Sequence, residues 1–567
     1  MINMNYDNLI QPIIERARSH PDHKTLIFWG EDDKKEIITA RDFHINAVAY
    51  AQALKAIGIQ QDDLVILVLR HSKTLLFAFW GALYMGAIAS IFPFLTEKLD
   101  PEIYMERVKA LVAHSKAKAV ITFPEFKEEL SALLADVNCK VISSAEVATN
   151  TNLNNDIETV YKNHEKEKIA FLQHSSGTTG LQKGVALSHR AVLNQIESYS
   201  QSLNLTSEDV IISWLPLYHD MGLIAGFVMP IVAGVTMVMM SPFHWVRDPK
   251  ILMQAVTEYK GTLCWLPNFA YNHSVRGIRK RDLEGLDLST LRAVINCSEP
   301  VRNDSHHMFL ERFSPFGFRE DALATCYAMA ENTFAVTQSP LGAPPHIDWV
   351  EINSLQTKQF ALPAAAGENG ATPMVSCGFP IPNVEVAIIN NKNEILPDRN
   401  VGEIILRSNC MLSGYYHRPD ATAEAIIDGW YHTGDMGYIA DGQVYISGRK
   451  KDMIIVGGKN VFPQDLEAIA NTTPGLHPGR SAAFGMMDEQ LGSEVIVMVC
   501  ELENENASEE EKIQIERDLR RRVVQQTEVA LADIRLVGSK WLIKTSSGKT
   551  ARSANRDKYL KEFLNKQ

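Results

Sequence analysis

Short apolar runs alternate with longer amphipathic stretches through the first two-thirds of the chain. LVILVLR (64–70), KAVITF (118–123), DVIISWLP (209–216), GVTMVMM (234–240) and LRAVINC (291–297) have the length and the β-branched content of buried strands. The segments between them carry helical spacing, and such alternation predicts sheets flanked by helices, an α/β architecture. Two uncharged runs, LLFAFWGALYMGAIASIF (75–92) and MGLIAGFVMPIVAGVTMVMMSPF (221–243), reach membrane-spanning length. Each is interrupted by Gly or Pro and changes midway from a helix-like block to a β-branched or compact one. That pattern predicts a buried helix feeding a buried strand rather than a membrane span. From about residue 374 strands dominate, with VEVAII (384–389) and GEIILRS (402–408) on either side of the turn-rich NNKNEILPDRNV. After GRKKD (448–452) a smaller unit begins, ending in the charged helix EEEKIQIERDLRRRVVQQ and the tail KTSSGKTARSANRDKY. The expected division is 1–450 and 451–567, with the basic joint between them as a natural hinge.

At 567 residues the chain is too long for one ordinary domain. Its 46% hydrophobic and 22% charged content is that of a globular protein, and a net charge of -12 argues against a general nucleic-acid binder. The seven cysteines are scattered, odd in number and without zinc spacing, which predicts a reducing, cytoplasmic setting. The N-terminal segment mixes charges among its apolar residues at helical spacing and lacks the apolar core of a signal peptide.

Candidate chemistry begins at HSSGTTGLQKG (174–184), where hydroxyl residues and glycines surround one lysine. A P-loop needs four residues between its glycines and then Lys followed by Ser or Thr. Here two residues separate Gly177 from Gly180, and Gly184 follows Lys183, so the spacing rejects that motif. The physics of anion binding survives. Glycines let the backbone approach phosphate closely, Ser175, Ser176, Thr178 and Thr179 can donate hydrogen bonds, and Lys183 adds a point charge.

SSGTTGLQKGV, WLPLYHDMGLI, NCSEPV, CYAMAENT, WYHTGDMGY, GRKKDMIIVGGKNVFPQDLE and KTSSGKTAR occur in this order over essentially the whole chain. Together they resemble the adenylate-forming superfamily, and most of all its fatty acyl-AMP ligases. The resemblance implies a large N-terminal domain of two α/β subdomains plus a small β-rich subdomain, followed by a smaller, mobile α+β C-terminal domain. It implies ATP and magnesium as cofactors and a carboxylate that attacks the α-phosphorus of ATP, giving an acyl adenylate and pyrophosphate. Both reactants are anions, so positioning and charge neutralisation must do most of the catalysis.

By the same resemblance, Ser175, Ser176, Gly177, Thr178, Thr179, Gly180 and Lys183 grip the β- and γ-phosphates. Ser298, Glu299 and Pro300 line the adenine pocket, and Tyr327 stacks on the base beside Ala328 and Met329. Asp435 accepts from the ribose hydroxyls and Arg449 contacts ribose or phosphate. Lys549, Glu331 and His219 are the expected catalytic residues, Glu331 as the magnesium ligand and His219 as a gate to the acyl pocket, with Lys451 as the hinge. Trp214, Met221, Ile224, Phe269 and Tyr271 are expected along an apolar acyl tunnel, though the same residues would serve equally as core. Gln182 and Ile543 stand where proline is common in relatives, without removing any charged group.

Asp220 follows His219 in a region where peptide-synthetase adenylation domains carry Phe-Asp, which disfavours an amino-acid substrate. Forty-seven positions separate Glu331 from Gly378, a longer connection than acyl-CoA synthetases use. The extra segment, about Ala343 to Thr372, falls where fatty acyl-AMP ligases carry an insertion associated with restrained C-terminal movement and poor use of coenzyme A. The partners implied are a fatty acid and a phosphopantetheinylated acyl carrier protein, stand-alone or within a polyketide or peptide synthase. RDLRRR (517–522) reads either as a docking patch for that acidic carrier or as a solvated helix face. Two alternatives stay open, an acyl-CoA synthetase and a non-catalytic adenylate-binding scaffold.

Overall fold

The computed structural model describes residues 5–95, 101–147, 165–174, 183–488, 493–545 and 548–564. Two large sheets carry most of the chain. One has nine strands in the order Phe379–Pro380, Ala335–Gln338, Leu323–Ala328, Ala293–Asn296, Leu263–Leu266, Val210–Ser213, Thr236–Met240, Lys24–Trp29 and Lys35–Thr39. Its interior pairs are parallel, and antiparallel strands close both edges. The other has seven strands in the order Gly414–Tyr415, Gly184–Ser188, Ile169–His174, Ile88–Ile91, Leu64–Val68, Ala119–Thr122 and Lys140–Ser143.

The five apolar runs read as strands are strands, each trimmed by up to three residues at an end. Both membrane-length runs divide as their patterns imply. Helix Lys73–Tyr84 feeds parallel strand Ile88–Ile91, and the helical stretch from Met221 to Ala233 feeds parallel strand Thr236–Met240. Among the described residues no helix is long and apolar enough to cross a membrane. Helix Lys73–Tyr84 is buried on every side from Leu75 onward, because it lies against helix Ala40–Ala56 as well as strands Leu64–Val68 and Ile88–Ile91. Gly81 permits that crossing, since a Cβ there would lie 2.3 Å from Tyr50 Cβ.

Strands Val384–Ile389, Gly402–Ser408, Trp430–Ala440, Ile426–Ile427 and Gln443–Arg449 form a smaller antiparallel sheet. A short 3-10 turn, Lys450–Asp452, follows. The chain beyond it builds the ribbon Ile454–Val456/Lys459–Val461 and a three-stranded sheet, Leu476–Asp488, Ser493–Leu502 and Leu531–Val537. Helices Pro463–Asn471 and Glu509–Thr527 cover that sheet around a core that includes Leu466, Met498, Leu519 and Ile534. This is the mixed α/β body with a smaller α+β C-terminal unit that the sequence implies.

The long connection after Glu331 is ordered rather than a bare loop. Strand Ile347–Glu351 pairs antiparallel with Ala371–Val375, and helix Ile352–Thr357 lies between them. Asp348 anchors it, accepting from Arg399 Nη1 at 3.1 Å and from the Tyr438 hydroxyl at 2.8 Å. Val350, Ala361, Met436, Tyr438, Tyr445 and Phe462 form one core with Leu355, Met374 and Met453 packed on it. Helix Ile352–Thr357 also contacts strand Lys459–Val461, so the segment touches the C-terminal unit directly.

Candidate active site

Strand Leu323–Ala328 ends at Tyr327 and Ala328, and the chain then turns tightly through Ala330–Asn332. Thr333 closes the turn at φ 63° and ψ -52°, with Phe334 N donating to Asn332 O at 2.6 Å. This is a γ-turn, a strained conformation for a β-branched residue. It persists because Thr333 is fully buried, its hydroxyl donates to Cys410 O at 2.7 Å, and its carbonyl accepts from Gln173 Nε2 at 3.1 Å. The turn presents Glu331 to the edge of the second large sheet, where the Tyr415 hydroxyl donates to its carboxylate at 2.9 Å. Tyr431 stands 3.1 Å from Tyr415, hydroxyl to hydroxyl, and the Lys183 ammonium lies 4.7 Å from the Tyr415 ring centre.

Burial pushes the Glu331 carboxyl above its usual range, against the pull of the Tyr415 and Tyr431 hydroxyls, and the negative charge of Asp220 adds to the rise. Magnesium takes oxygen ligands and is commonly held by one or two carboxylates together with substrate phosphates. A sheltered carboxylate whose hydrogen bonds come from hydroxyls, with a second carboxylate near enough to repel it, fits such an ion.

Asp435 lies on the third sheet in register with Arg449. Its carboxylate accepts from the Tyr327 hydroxyl at 2.6 Å and lies 3.4 Å from Arg449 Nε. Burial raises its pKa, while Arg449, Tyr327 and Lys549 act to lower it. His219 and Asp220 follow strand Val210–Ser213. Asp220 caps the next helix by accepting from Met221 N at 2.8 Å, and its carboxyl is raised by burial against the opposing charge of Lys549. Burial, followed by the Lys549 charge, pushes the His219 imidazole down to about 3, so it is neutral at ordinary pH. Its Nε2 has no hydrogen-bond partner among the described residues. The C-terminal lysine thus acts electrostatically on three groups of the N-terminal body, His219, Asp220 and Asp435.

Ser298, at φ 69°, points its hydroxyl toward Met221 Sδ at 3.9 Å, and Glu299 accepts from Phe269 N at 2.9 Å. Pro300 is exposed beside them, and Met329 is half-buried at the Glu331 turn. Lys451 sits in the 3-10 turn, its ammonium lowered by burial and by the Arg449 charge. Ser175, Ser176, Gly177, Thr178, Thr179 and Gly180 lie outside the described residues; the flanking strands pair antiparallel, His174 opposite Gly184.

The acyl-tunnel candidates differ in their contacts. Trp214 stacks on Trp245, ring centres 3.7 Å apart, and Phe269 meets both edge-on. Met221 lies beside the Ser298 hydroxyl, and the next residue, Glu299, accepts from Phe269 N. Ile224 is fully buried in its helix. Tyr271 donates to Val294 O at 3.0 Å and packs on His306 and Phe309, and it shares one core cluster with Trp214 and Trp245. Sequence reading missed Tyr415 and Tyr431. Tyr431 stands inside the quoted WYHTGDMGY, but nothing in its spacing points to Glu331, roughly a hundred residues earlier.

Residues 13–416 match the family model described as AMP-binding enzyme. The chain belongs to that family. This AMP-binding enzyme is 30% identical to a putative acyl-CoA synthetase of Caulobacter vibrioides (strain NA1000 / CB15N), covering 91% of this chain and 89% of that protein. It is 29% identical to the medium-chain-fatty-acid–[acyl-carrier-protein] ligase JamA of Moorena producens (strain JHB), covering 99% and 96%. Among solved structures it is similar to one from structural and functional studies of fatty acyl-adenylate ligases from E. coli and L. pneumophila, with a TM-score of 0.90 at 27% identity over 100% of this chain and 99% of that one.

Proposed function

We propose that this AMP-binding enzyme is a fatty acyl-AMP ligase. A fatty acid carboxylate oxygen attacks the α-phosphorus of ATP, the bond to the bridging oxygen breaks, and pyrophosphate leaves with that oxygen and its electron pair. The acyl group of the resulting mixed anhydride then passes to the phosphopantetheine thiol of an acyl carrier protein, releasing AMP. The observation that carries the reading is geometric: Tyr327 and Arg449 hold the Asp435 carboxylate and Tyr415 holds that of Glu331, and the charge of Lys549 bears on Asp435, His219 and Asp220. A cation from the far end of the sequence acting on sheltered carboxylates suits a reaction between two anions.

Lys549 would counter charge at the reacting phosphoryl group, and its work is electrostatic stabilisation in a sheltered site. Tyr327 and Arg449 hold the Asp435 carboxylate in place to accept from ribose hydroxyls. His219, neutral and with Nε2 unengaged, would gate the acyl pocket beside the reacting carboxylate. Glu331 would hold magnesium together with phosphate oxygens, the ion neutralising charge on the departing pyrophosphate. Residues 451–567 are the mobile unit that carries Lys549. The seven free thiols suit a reducing cytoplasm.

Carrier protein is favoured over coenzyme A as acceptor by the ordered segment around 347–375, which packs against Met453, Phe462 and strand Lys459–Val461 and so restrains the C-terminal unit. The similarity to a putative acyl-CoA synthetase favours the second reading. Incubating pure protein with ATP, magnesium and a panel of fatty acids, offering coenzyme A or holo carrier protein separately, decides between them by mass spectrometry. Acyl-AMP that persists with coenzyme A and is consumed into acyl-carrier protein is the expected result. Rapid acyl-CoA formation would make this a synthetase, and no acyl-AMP from any acid would overturn both readings.

A further inference from the structure

Arg302 stands two residues beyond Pro300, at the N-terminal boundary of helix Asn303–Phe313. Its backbone is fixed from below, because Arg302 N donates to Asn268 Oδ1 at 3.1 Å. Asn268 belongs to a buried polar network. It donates to Ser305 Oγ at 3.0 Å and accepts from Asn296 Nδ2 at 3.0 Å, and Asn296 in turn contacts His306 Nε2 at 3.0 Å. The Arg302 side chain leaves this rigid base and crosses to the C-terminal unit. Nη2 donates to Gln464 O at 2.8 Å and to Asp465 Oδ1 at 3.0 Å, both in the first turn of helix Pro463–Asn471. The same turn is held to the N-terminal body a second time by Gln464 Nε2, which donates to Ser447 O at 2.7 Å.

From that helix the path continues to the catalytic loop. Glu467 takes two hydrogen bonds from Arg552, at 2.8 and 2.7 Å, and Arg552 Nη1 donates to Asp452 Oδ2 at 2.8 Å. Arg552 lies three residues after Lys549, and its three partnered nitrogens are largely buried. Fixing helix Pro463–Asn471 against the body therefore fixes the segment that presents Lys549.

We propose that Arg302 is a positioning residue for Lys549. It pins the helix that carries Glu467, and through Glu467 and Arg552 it sets where the lysine stands relative to His219, Asp220 and Asp435. The inference rests on the adenylation reading above for what Lys549 does, but not for the contacts themselves. Misplacing a catalytic group by an ångström can cost about 100-fold in rate, and the Arg302–Asp465 pair is partly solvated, so a smaller loss is expected from its removal.

The test compares wild-type full-length protein with Arg302→Ala, Arg302→Lys, Asp465→Ala and the Arg302→Ala/Asp465→Ala double variant, with kinetics of acyl-AMP formation and hydrogen exchange across 463–471. Arg302→Ala should lower kcat about tenfold with KM for ATP within about twofold, and should speed exchange in that helix. Arg302→Lys should fall between, and the double variant should be no slower than the worse single one. Unchanged kcat with unchanged exchange overturns the proposal. A raised KM for ATP with kcat intact also overturns it, since Arg302 would then be a nucleotide contact. If the wild type makes no acyl-AMP the adenylation reading fails, while hydrogen exchange in Arg302→Ala still decides whether the clamp exists.

Discussion

Replacing Asp348 by Ala should release the 347–375 segment, and the structure sets the size of the effect. The Asp348 side chain is only 7% exposed and that of Arg399 is 24% exposed. The substitution removes the Arg399 contacts at 3.1 and 3.4 Å and leaves the Tyr438 hydroxyl without its acceptor at 2.8 Å. Breaking a buried ion pair from one side costs about 3–5 kcal/mol. Arg399 keeps its bond to Ala361 O at 3.1 Å and reaches some solvent, so the lower end, about 3 kcal/mol, applies. Asp348→Asn preserves shape and one acceptor oxygen and should cost about 1–2 kcal/mol. Hydrogen exchange resolves the difference locally, because 3 kcal/mol is roughly 100-fold in the opening equilibrium and 1–2 kcal/mol is about 5- to 30-fold. The functional consequence follows from the packing of the same segment on Phe462 and Met453. Asp348→Ala should increase acyl-CoA formation with coenzyme A as acceptor while acyl-AMP formation persists. Exchange in 347–375 within about threefold of wild type would refute the energetic argument. Faster exchange without any gain in acyl-CoA would refute the claim that this segment selects the acceptor.

Lys549→Ala should slow acyl-AMP formation by about 100-fold or more while AMP binding, followed by calorimetry, changes far less, because the lost interaction belongs to the transition state. Gly448→Ala should undock the start of the C-terminal unit, since its Cβ would lie 2.4 Å from both Gln464 Nε2 and Phe462 Cδ1; overpacking of about 1–3 kcal/mol should appear as faster exchange at 462–464 and slower adenylation. Burial lowers His174 and His306 from 6.5 to about 4 in the folded protein. Each therefore contributes stability that is complete above pH 6.5 and is lost as pH falls toward 4, at about 1.4 kcal/mol per pH unit. His306→Gln keeps an acceptor for Asn296 but cannot gain a proton, so urea unfolding at pH 7 and pH 5 should show an acid loss smaller than wild type by about 2 kcal/mol. The raised carboxyls Asp220, Glu331 and Asp435 change stability in the opposite sense on acidification, equally in both proteins, so the difference isolates His306.

Much of the architecture was readable because burial is periodic in the chain. Val384–Ile389 and Gly402–Ser408 keep the bounds their apolar patterns imply, and the two long apolar runs reveal their helix-to-strand switch through β-branched content alone. Tyr271 shows why a lining role is hard to read from a motif. An aromatic residue inside a motif satisfies a lining role and a packing role equally well, and the hydroxyl bond from Tyr271 to Val294 O serves both. What stayed hidden are pairings between distant residues that share no local pattern. Asp348 with Arg399, Glu331 with Tyr415 and Arg302 with Asp465 are ion pairs or hydrogen bonds whose members sit in ordinary polar surroundings along the sequence. A charged residue is usually solvated, so no single position signals that its partner lies 51, 84 or 163 residues away. All three pairs join different sheets or units of the chain. The sequence pattern that makes each sheet says little about how the sheets are held against one another, and in this protein the groups around Lys549 come together only through that joining.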